Sequence, residues 1–334
     1  RLQDKARSEI LKSFNYTNGN VIFTTGATEA NNLALIGLFL QYKNRGSEII
    51  ISAFEHPSIR KVVHYLAVSH GAIIKEVPLL GNGELDLAFL ENALSSKTVL
   101  VSLMAVNNEI GTITNIAAIR KLLKPYPKVL FHSDVTQAVG KVTLDYELLD
   151  AFSFSAHKIH GLKGSGALII RDKLVLTPLM YGGAQEGGFR PGTSNTPTNI
   201  VLAKTVRLAF ENQVKHFQTV EKVAYQLYTL LEKESSHFII NSKLTNPYII
   251  NFSLTNFRAS VLLNGLDNAD IMIGTTSSCS AQIDEPSLSV MALTNSAELA
   301  ANALRISFSH ENTINEVNEL MQTMLNIIKG RTHE

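Results

Sequence analysis

The chain has a single cysteine, no tryptophan and only nine prolines in 334 residues. One cysteine, Cys279, excludes an internal disulfide and fits a reducing compartment, so the expected location is cytoplasmic. An excess of either charge is also missing. Thirty basic side chains against 29 acidic ones leave a formal charge of +1, which removes the electrostatic case for nucleic acid or a membrane surface as partner. The longest nearly unbroken apolar run, Leu33 to Leu40, is far shorter than the roughly 20 residues a bilayer span needs. No signal-peptide pattern opens the chain. Arg1 begins it without a methionine, inside a stretch with helical spacing (Leu2, Ala6, Ile10, Leu11), from which residues upstream are expected.

What is present is alternation. Up to about residue 175, short apolar runs read as buried strands: Val21–Thr24, Glu48–Ser52, Ile73–Val77, Val99–Met104, Val129–His132, Ala151–Ser155 and Gly166–Ile170. Helical spacing lies between most of them, at Glu29–Tyr42, Pro57–Ser69, Asp86–Leu94 and Ile116–Leu123. That order predicts an α/β fold with a mostly parallel sheet covered on both faces. Tyr181–Asn195 is rich in glycine and proline and reads as a loop. One long helix is predicted after it (Val206, Phe210, Val214, Phe217, Ala224, Leu227, Leu231), then strands near Phe238–Asn241, Tyr248–Ser253 and Leu304–Phe308. A closing helix follows Thr313 and Glu316, spaced as a capping box. The expected division is a large domain over 1–213 and a smaller α+β domain over 214–334.

Chemistry-bearing residues cluster at the predicted strand ends, where ligands bind in open α/β sheets. Residues 24–30 (Thr-Thr-Gly-Ala-Thr-Glu-Ala) run from strand to helix and offer backbone N–H groups to a phosphate; a ligand-free helix cap would look the same. No complete dinucleotide fingerprint or P-loop occurs, so a phosphate here belongs to another kind of cofactor. Asp134 at a strand end could take a pyridinium N–H, or cap a helix. Lys158, after the strand end Phe154-Ser155-Ala156-His157, is a candidate Schiff-base amine. His157-x-x-His160 invites zinc, but no HExxH and no cysteine pair supports it, so no metal is expected. His56, after the strand ending at Ser52, could stack on a flat ring or move protons, or sit as a core histidine. Arg305 lies within a strand, where its fork suits a substrate carboxylate or an internal salt bridge.

Together these segments resemble the cysteine desulfurases, a branch of the class-V aminotransferase group of pyridoxal-phosphate (PLP) enzymes. The resemblance runs in order from about residue 1 to residue 328. Its anchors are residues 25–32 (TGATEANN), 55–57 (EHP), 106–111 (VNNEIG), 132–141 (HSDVTQAVGK), 153–161 (SFSAHKIHG), 182–186 (GGAQE) and 190–193 (RPGT). Taken together, the anchors are specific for that branch.

The resemblance implies a PLP-dependent transferase fold of type I and a homodimer. It implies that Lys158 carries PLP, that Asp134 binds the pyridine nitrogen and that His56 stacks on the ring. Asn108 and Gln137 would bond ring substituents, and Ala27, Thr28, Ser155 and His157 would hold the phosphate. Thr193 would reach the phosphate of the other subunit, and Arg305, with Asn108, would hold the carboxylate of L-cysteine. Cys279 would take the sulfur and pass it to an acceptor or scaffold protein, for iron–sulfur clusters or tRNA thiolation.

The sequence also departs from the family. Its N-terminal segment is absent from this sequence. Leu162 replaces the usual proline after the lysine-bearing turn. The family's flexible Ser-Gly-Ser-Ala-Cys approach reads Thr275-Thr276-Ser277-Ser278-Cys279, and β-branched Thr276 stiffens what glycine would leave free. Two other readings fit these residues: a related PLP enzyme such as a selenocysteine lyase or aminotransferase, and a binding module that kept the fold.

Overall fold

The computed structural model describes residues 1–275 and 286–331, and it divides into two compact units. The first comprises Arg1–Pro78, Leu85–Val106 and Thr114–Gln213; the second comprises Leu79–Glu84, Asn107–Ile113 and Val214–Glu334. The short segments 79–84 and 107–113 therefore belong with the C-terminal part, a grouping that periodicity along the chain does not reveal.

In the first unit the elements are α1 (Leu2–Ser13), β1 (Gly19–Thr24), α2 (Ala27–Tyr42), β2 (Glu48–Ser52), α3 (Pro57–His70), β3 (Ile73–Val77), α4 (Leu87–Ala93), β4 (Thr98–Ser102), α5 (Ile116–Leu122), β5 (Leu130–Asp134), β6 (Ala151–Ser155), β7 (Gly166–Arg171) and α6 (Thr196–Glu211). The strands form one seven-stranded sheet in the order β1-β7-β6-β5-β4-β2-β3. Only β7 runs against its neighbours β6 and β1; the other pairings are parallel. Strands β2, β4, β5 and β6 are buried along their whole length, as a parallel sheet covered on both faces requires. Helix α2 is apolar nearly all round and is buried accordingly. Its Leu33, Ala34, Leu35, Leu38 and Phe39 share a core with Ile22, Ile49, Ile51, Leu168 and Ile170. Each large apolar side chain buried there contributes about 1.5–3 kcal/mol. Phe14 packs edge-on against Tyr146 with ring centroids 4.7 Å apart, and also meets Phe152, Phe154 and Phe210, which ties α1 and α6 to β6.

The second unit contains α7 (Gln213–Lys233), β8 (Phe238–Ile240), β9 (Ile249–Leu254), α8 (Ala259–Asp267), β10 (Gly274–Thr275), α9 (Leu288–Thr294), α10 (Ala297–Ala301), β11 (Ala303–Ser307) and α11 (Ile314–Arg331). Its four-stranded antiparallel sheet has the order β10-β11-β9-β8. The apolar stripe of α7 (Val220, Val223, Ala224, Leu227, Leu231) shares a core with Phe252, Leu304 and Ile306 of the sheet and with Val317, Met321, Met324 and Ile328 of α11. The expected capping box is formed: the Thr313 N–H donates to Glu316 Oε2 at 2.6 Å, and the Glu316 N–H donates to Thr313 Oγ1 at 3.3 Å.

The single long helix expected across residues 206–231 is instead two, α6 and α7, parted at Asn212. The Asn212 side chain donates back to the Leu208 carbonyl at 2.8 Å and its N–H bonds the carbonyls of Leu208 and Phe210. This local bonding closes the last turn of α6, while the apolar spacing of the sequence runs on through it.

One close approach positions the start of α2. Gly166 at the head of β7 lies against Gly26: a Cβ built on Gly166 would stand 2.6 Å from Gly26 Cα and 2.5 Å from the Phe154 carbonyl oxygen. Gly166→Ala must therefore move backbone rather than a side chain. We expect it to lower stability by about 1–3 kcal/mol, read as a lower denaturant midpoint. An unchanged midpoint would show that the approach is slack.

Candidate active site

Strands β1, β2, β5 and β6 run in the same direction, so their C-terminal ends lie along one edge of the first sheet. At the end of β1, Gly26 adopts φ 150°, ψ −179°, a backbone that side chains rarely allow. The turn leads straight into α2. The Ala27 N–H donates to Ser155 Oγ at the end of β6, at 2.7 Å. Residues 25–29 with Ser155, His157, Lys163 and Gly164 line a cavity of about 300 Å³. Helix N–H groups at its wall and Lys163 beside them make this a place for an anion. The pKa of His157 is lowered, first by partial burial and then by the charges of Lys158, Lys163 and Lys141. Its imidazole is therefore neutral at pH 7 and able to donate or accept.

The wall is braced by ion pairs. Glu29 accepts the Thr25 N–H and hydroxyl at 2.7 Å each and Arg190 Nε at 2.9 Å. Burial by itself would raise the Glu29 carboxyl, but these bonds outweigh it and hold the pKa below its usual value. The glycine-rich segment around Thr193 is pinned at a second point. Glu186, in a left-handed conformation (φ 49°), accepts Arg7 Nη2 at 2.8 Å, Gln3 Nε2 at 3.0 Å and the Phe23 N–H at 2.9 Å. Thr193 itself is exposed.

Asp134 ends β5 and is buried. Its Oδ2 accepts Asn31 Nδ2 at 2.7 Å and its Oδ1 accepts the Thr136 N–H at 2.9 Å. Among the described residues no lysine or arginine forms an ion pair with it. A buried carboxylate bonded only to neutral donors is costly, and a cationic ring N–H would compensate it. Lys158, half-buried, lies in the turn directly after β6, the neighbour of β5. Gln137 Oε1, one turn beyond Asp134, accepts Lys141 Nζ at 3.1 Å. His56 caps α3: its Nδ1 accepts the Ser58 N–H at 3.1 Å. An anion cradle, a lysine and a buried acid at one sheet edge are the donor set that a phosphorylated pyridine aldehyde needs, and the residues present fit PLP.

Arg305 and Asn108 are together in the second unit. Arg305, half-buried on β11, donates from Nη1 to the Asn108 carbonyl at 3.0 Å. The Asn108 backbone is shaped by Asn107, whose Oδ1 accepts the N–H groups of Glu109 and Ile110 at 2.8 Å each. Cys279 and the altered Thr276 lie outside the described residues.

Fold and site together define a PLP-dependent transferase of fold type I. The aminotransferase class-V family model matches residues 1–320, and the chain belongs to that family. It is 33% identical over 330 residues to "Cysteine desulfurase IscS" of Dictyoglomus turgidum, covering 98% of this chain and 83% of that protein. It is 33% identical over 328 residues to "NifS/IcsS protein homolog" of Lactobacillus delbrueckii subsp. bulgaricus, covering 96% and 84%. Among solved structures it is similar to a "NIFS-LIKE PROTEIN", with a TM-score of 0.90, 31% identity and coverage of 98% and 87%.

Sequence reasoning assigned no role to Lys163, which lines the cavity, or to Glu55. A charged residue directly before His56 at a buried strand end was the available signal for the latter. Glu55 is fully enclosed. Its Oε1 accepts the Ser52 hydroxyl at 2.6 Å and the Met104 N–H at 2.8 Å. Burial pushes its carboxyl up to about 8; the Ser52 and Met104 bonds pull the other way, and the charge of Asp134 adds to the rise. The folded state thus keeps a proton that the unfolded chain loses near 4.5. This contribution to stability is complete below that value and is lost as pH climbs to about 8. Glu55→Gln is neutral at every pH, so its stability between about pH 5 and pH 8 should fall less steeply than that of the wild type in denaturant titrations. Equal slopes would mean that Glu55 is ionised when folded.

Proposed function

We propose that this chain is a PLP-dependent cysteine desulfurase that converts L-cysteine to L-alanine and leaves the sulfur as a persulfide on Cys279. The observation that carries the reading is the placement of Lys158 directly after β6, with the anion cradle of residues 25–29 and Ser155 on one side and buried Asp134 on the adjacent strand. When bound, PLP supplies a protonated ring that draws electron density from the substrate α-carbon.

The residues of the chain do the rest. Ala27, Thr28, Ser155 and His157 bind the phosphate, Asp134 accepts the pyridine N–H, His56 covers one ring face, and Asn108 and Gln137 bond ring substituents. Lys158 anchors the cofactor through its amine and then acts as the base that takes the α-proton of L-cysteine. Arg305, assisted by Asn108, orients the substrate carboxylate. The Cys279 thiolate attacks the substrate sulfur. An S–S bond forms, the C–S bond breaks with its electron pair going to carbon, and that carbon takes a proton and leaves as L-alanine. Cysteine and a protein thiol thus give alanine and a protein persulfide, and no outside oxidant is needed.

The division of labour places the cofactor in 1–213 and the sulfur-carrying cysteine in 214–334. The working form is a homodimer in which exposed Thr193 reaches the phosphate of the other subunit. The persulfide passes to an acceptor or iron–sulfur scaffold protein in the cytoplasm, for cluster assembly or tRNA thiolation.

Borohydride reduction of the PLP-loaded protein followed by peptide mapping should place the pyridoxyl group on Lys158; a label on Lys163 or Lys141 would refute the assignment. Cys279→Ser should bind PLP and cysteine yet release no sulfide, a loss of activity to background. Should Cys279→Ser desulfurate cysteine at the wild-type rate, the chain is a lyase that needs no protein thiol.

A further inference from the structure

Asn31 has no role in the mechanism above, yet it is wholly buried on α2. A buried amide without partners is costly, and every hydrogen-bonding atom of this one is used. Nδ2 donates to Asp134 Oδ2 at 2.7 Å and to Ser58 Oγ at 2.8 Å. Oδ1 accepts the Ser153 hydroxyl. The amide has one workable orientation, because turning it over would set Oδ1 against the Asp134 carboxylate.

That orientation dictates the direction of the bonds that run through Ser153. Ser58 accepts from Asn31, which leaves its hydroxyl hydrogen available to His56 Nδ1, 2.8 Å away. The Ser58 N–H donates to the same nitrogen and makes it the acceptor. On the opposite side, Ser153 donates to Asn31 and so must accept from His132 Nε2 at 3.1 Å. His132 Nδ1 is then left to accept the Ser102 hydroxyl at 2.8 Å. His132 is fully buried, and burial pulls its pKa down to about 4 against the opposing pull of Asp134, so it is neutral at pH 7. Both partners of His132 are hydroxyls, which can reverse. Among the described residues, nothing but the Asn31 carbonyl, acting through Ser153, selects its Nε2–H form.

We infer that Asn31 is a positioning residue: one buried carboxamide sets the hydrogen-bond direction from Ser102 through His132 to Ser153 and holds Asp134 as an acceptor aimed at the cofactor ring. Only the second half of this rests on the PLP reading given above. The first half is a property of the chain without cofactor, and it is testable without it.

The test uses the full chain with 15N-labelled histidine rings, before and after addition of PLP. In the wild type without PLP, long-range 15N–1H spectra at neutral pH should show His132 as a single Nε2–H form. Asn31→Leu keeps the size of the side chain but frees the Ser153 hydroxyl. His132 should then lose its single form, and PLP should bind about tenfold more weakly, the scale of one hydrogen bond to an ionised group. His132 unchanged in this variant, or PLP affinity equal to that of the wild type, overturns the inference. If Asn31→Leu does not fold, as judged by circular dichroism, Asn31→Asp replaces it. That variant keeps an acceptor for Ser153 but faces Asp134 with a second carboxyl group. Its His132 should remain Nε2–H while PLP binding falls at least about tenfold; wild-type affinity here overturns the inference as well. A wild-type protein that binds no PLP while His132 responds to Asn31→Leu as expected would defeat the cofactor reading and leave the hydrogen-bond relay standing.

Discussion

A negative charge buried at the C-terminal end of β5 is the constraint around which the first unit is arranged. Asp134 is enclosed by Asn31 from α2, by the Thr136 N–H and by the neighbouring strands, with no lysine or arginine paired to it among the described residues. Holding such a group is expensive, so its surroundings have to be specified closely. Glu55, also enclosed, avoids the same expense in a different way. Its pKa rises until it is neutral, which spares the protein a second charge close to the first. One acid is surrounded by hydrogen-bond donors and the other is kept protonated by burial.

The cavity at residues 25–29 depends on backbone rather than on charge alone. The turn at Gly26 works because Gly166 lets β7 come close beneath it, and because Ser155 ties the Ala27 N–H to β6. Glu29 and Glu186 then connect the glycine-rich segment to this rigid frame through Arg190, Arg7 and the Phe23 N–H. A stretch with too little apolar content to form a core is thereby held in place by a few partly buried ion pairs, which is how an exposed residue such as Thr193 can be given a defined position.

The sequence by itself determined the strand–helix alternation of the first 175 residues, because buried parallel strands must be continuous apolar runs and the helices between them must carry a 3.6-residue stripe. Ile49–Ile51 and Val99–Val101 leave little choice. It also singled out Lys158, Asp134 and His56, since polar groups directly after such runs emerge at the ligand-binding edge of the sheet. The break at Asn212 was not legible, because apolar spacing continues through it while the Asn212 side chain and N–H both bond back to the preceding turn. The grouping of 79–84 and 107–113 with the C-terminal part was equally hidden, since contacts between distant segments leave no periodic trace. The role of Asn31 was decided by tertiary structure alone. In sequence it is one asparagine beside another; its partners Ser58, Asp134 and Ser153 are 27, 103 and 122 residues away, and only folding brings their hydroxyl and carboxylate oxygens within reach of a single amide.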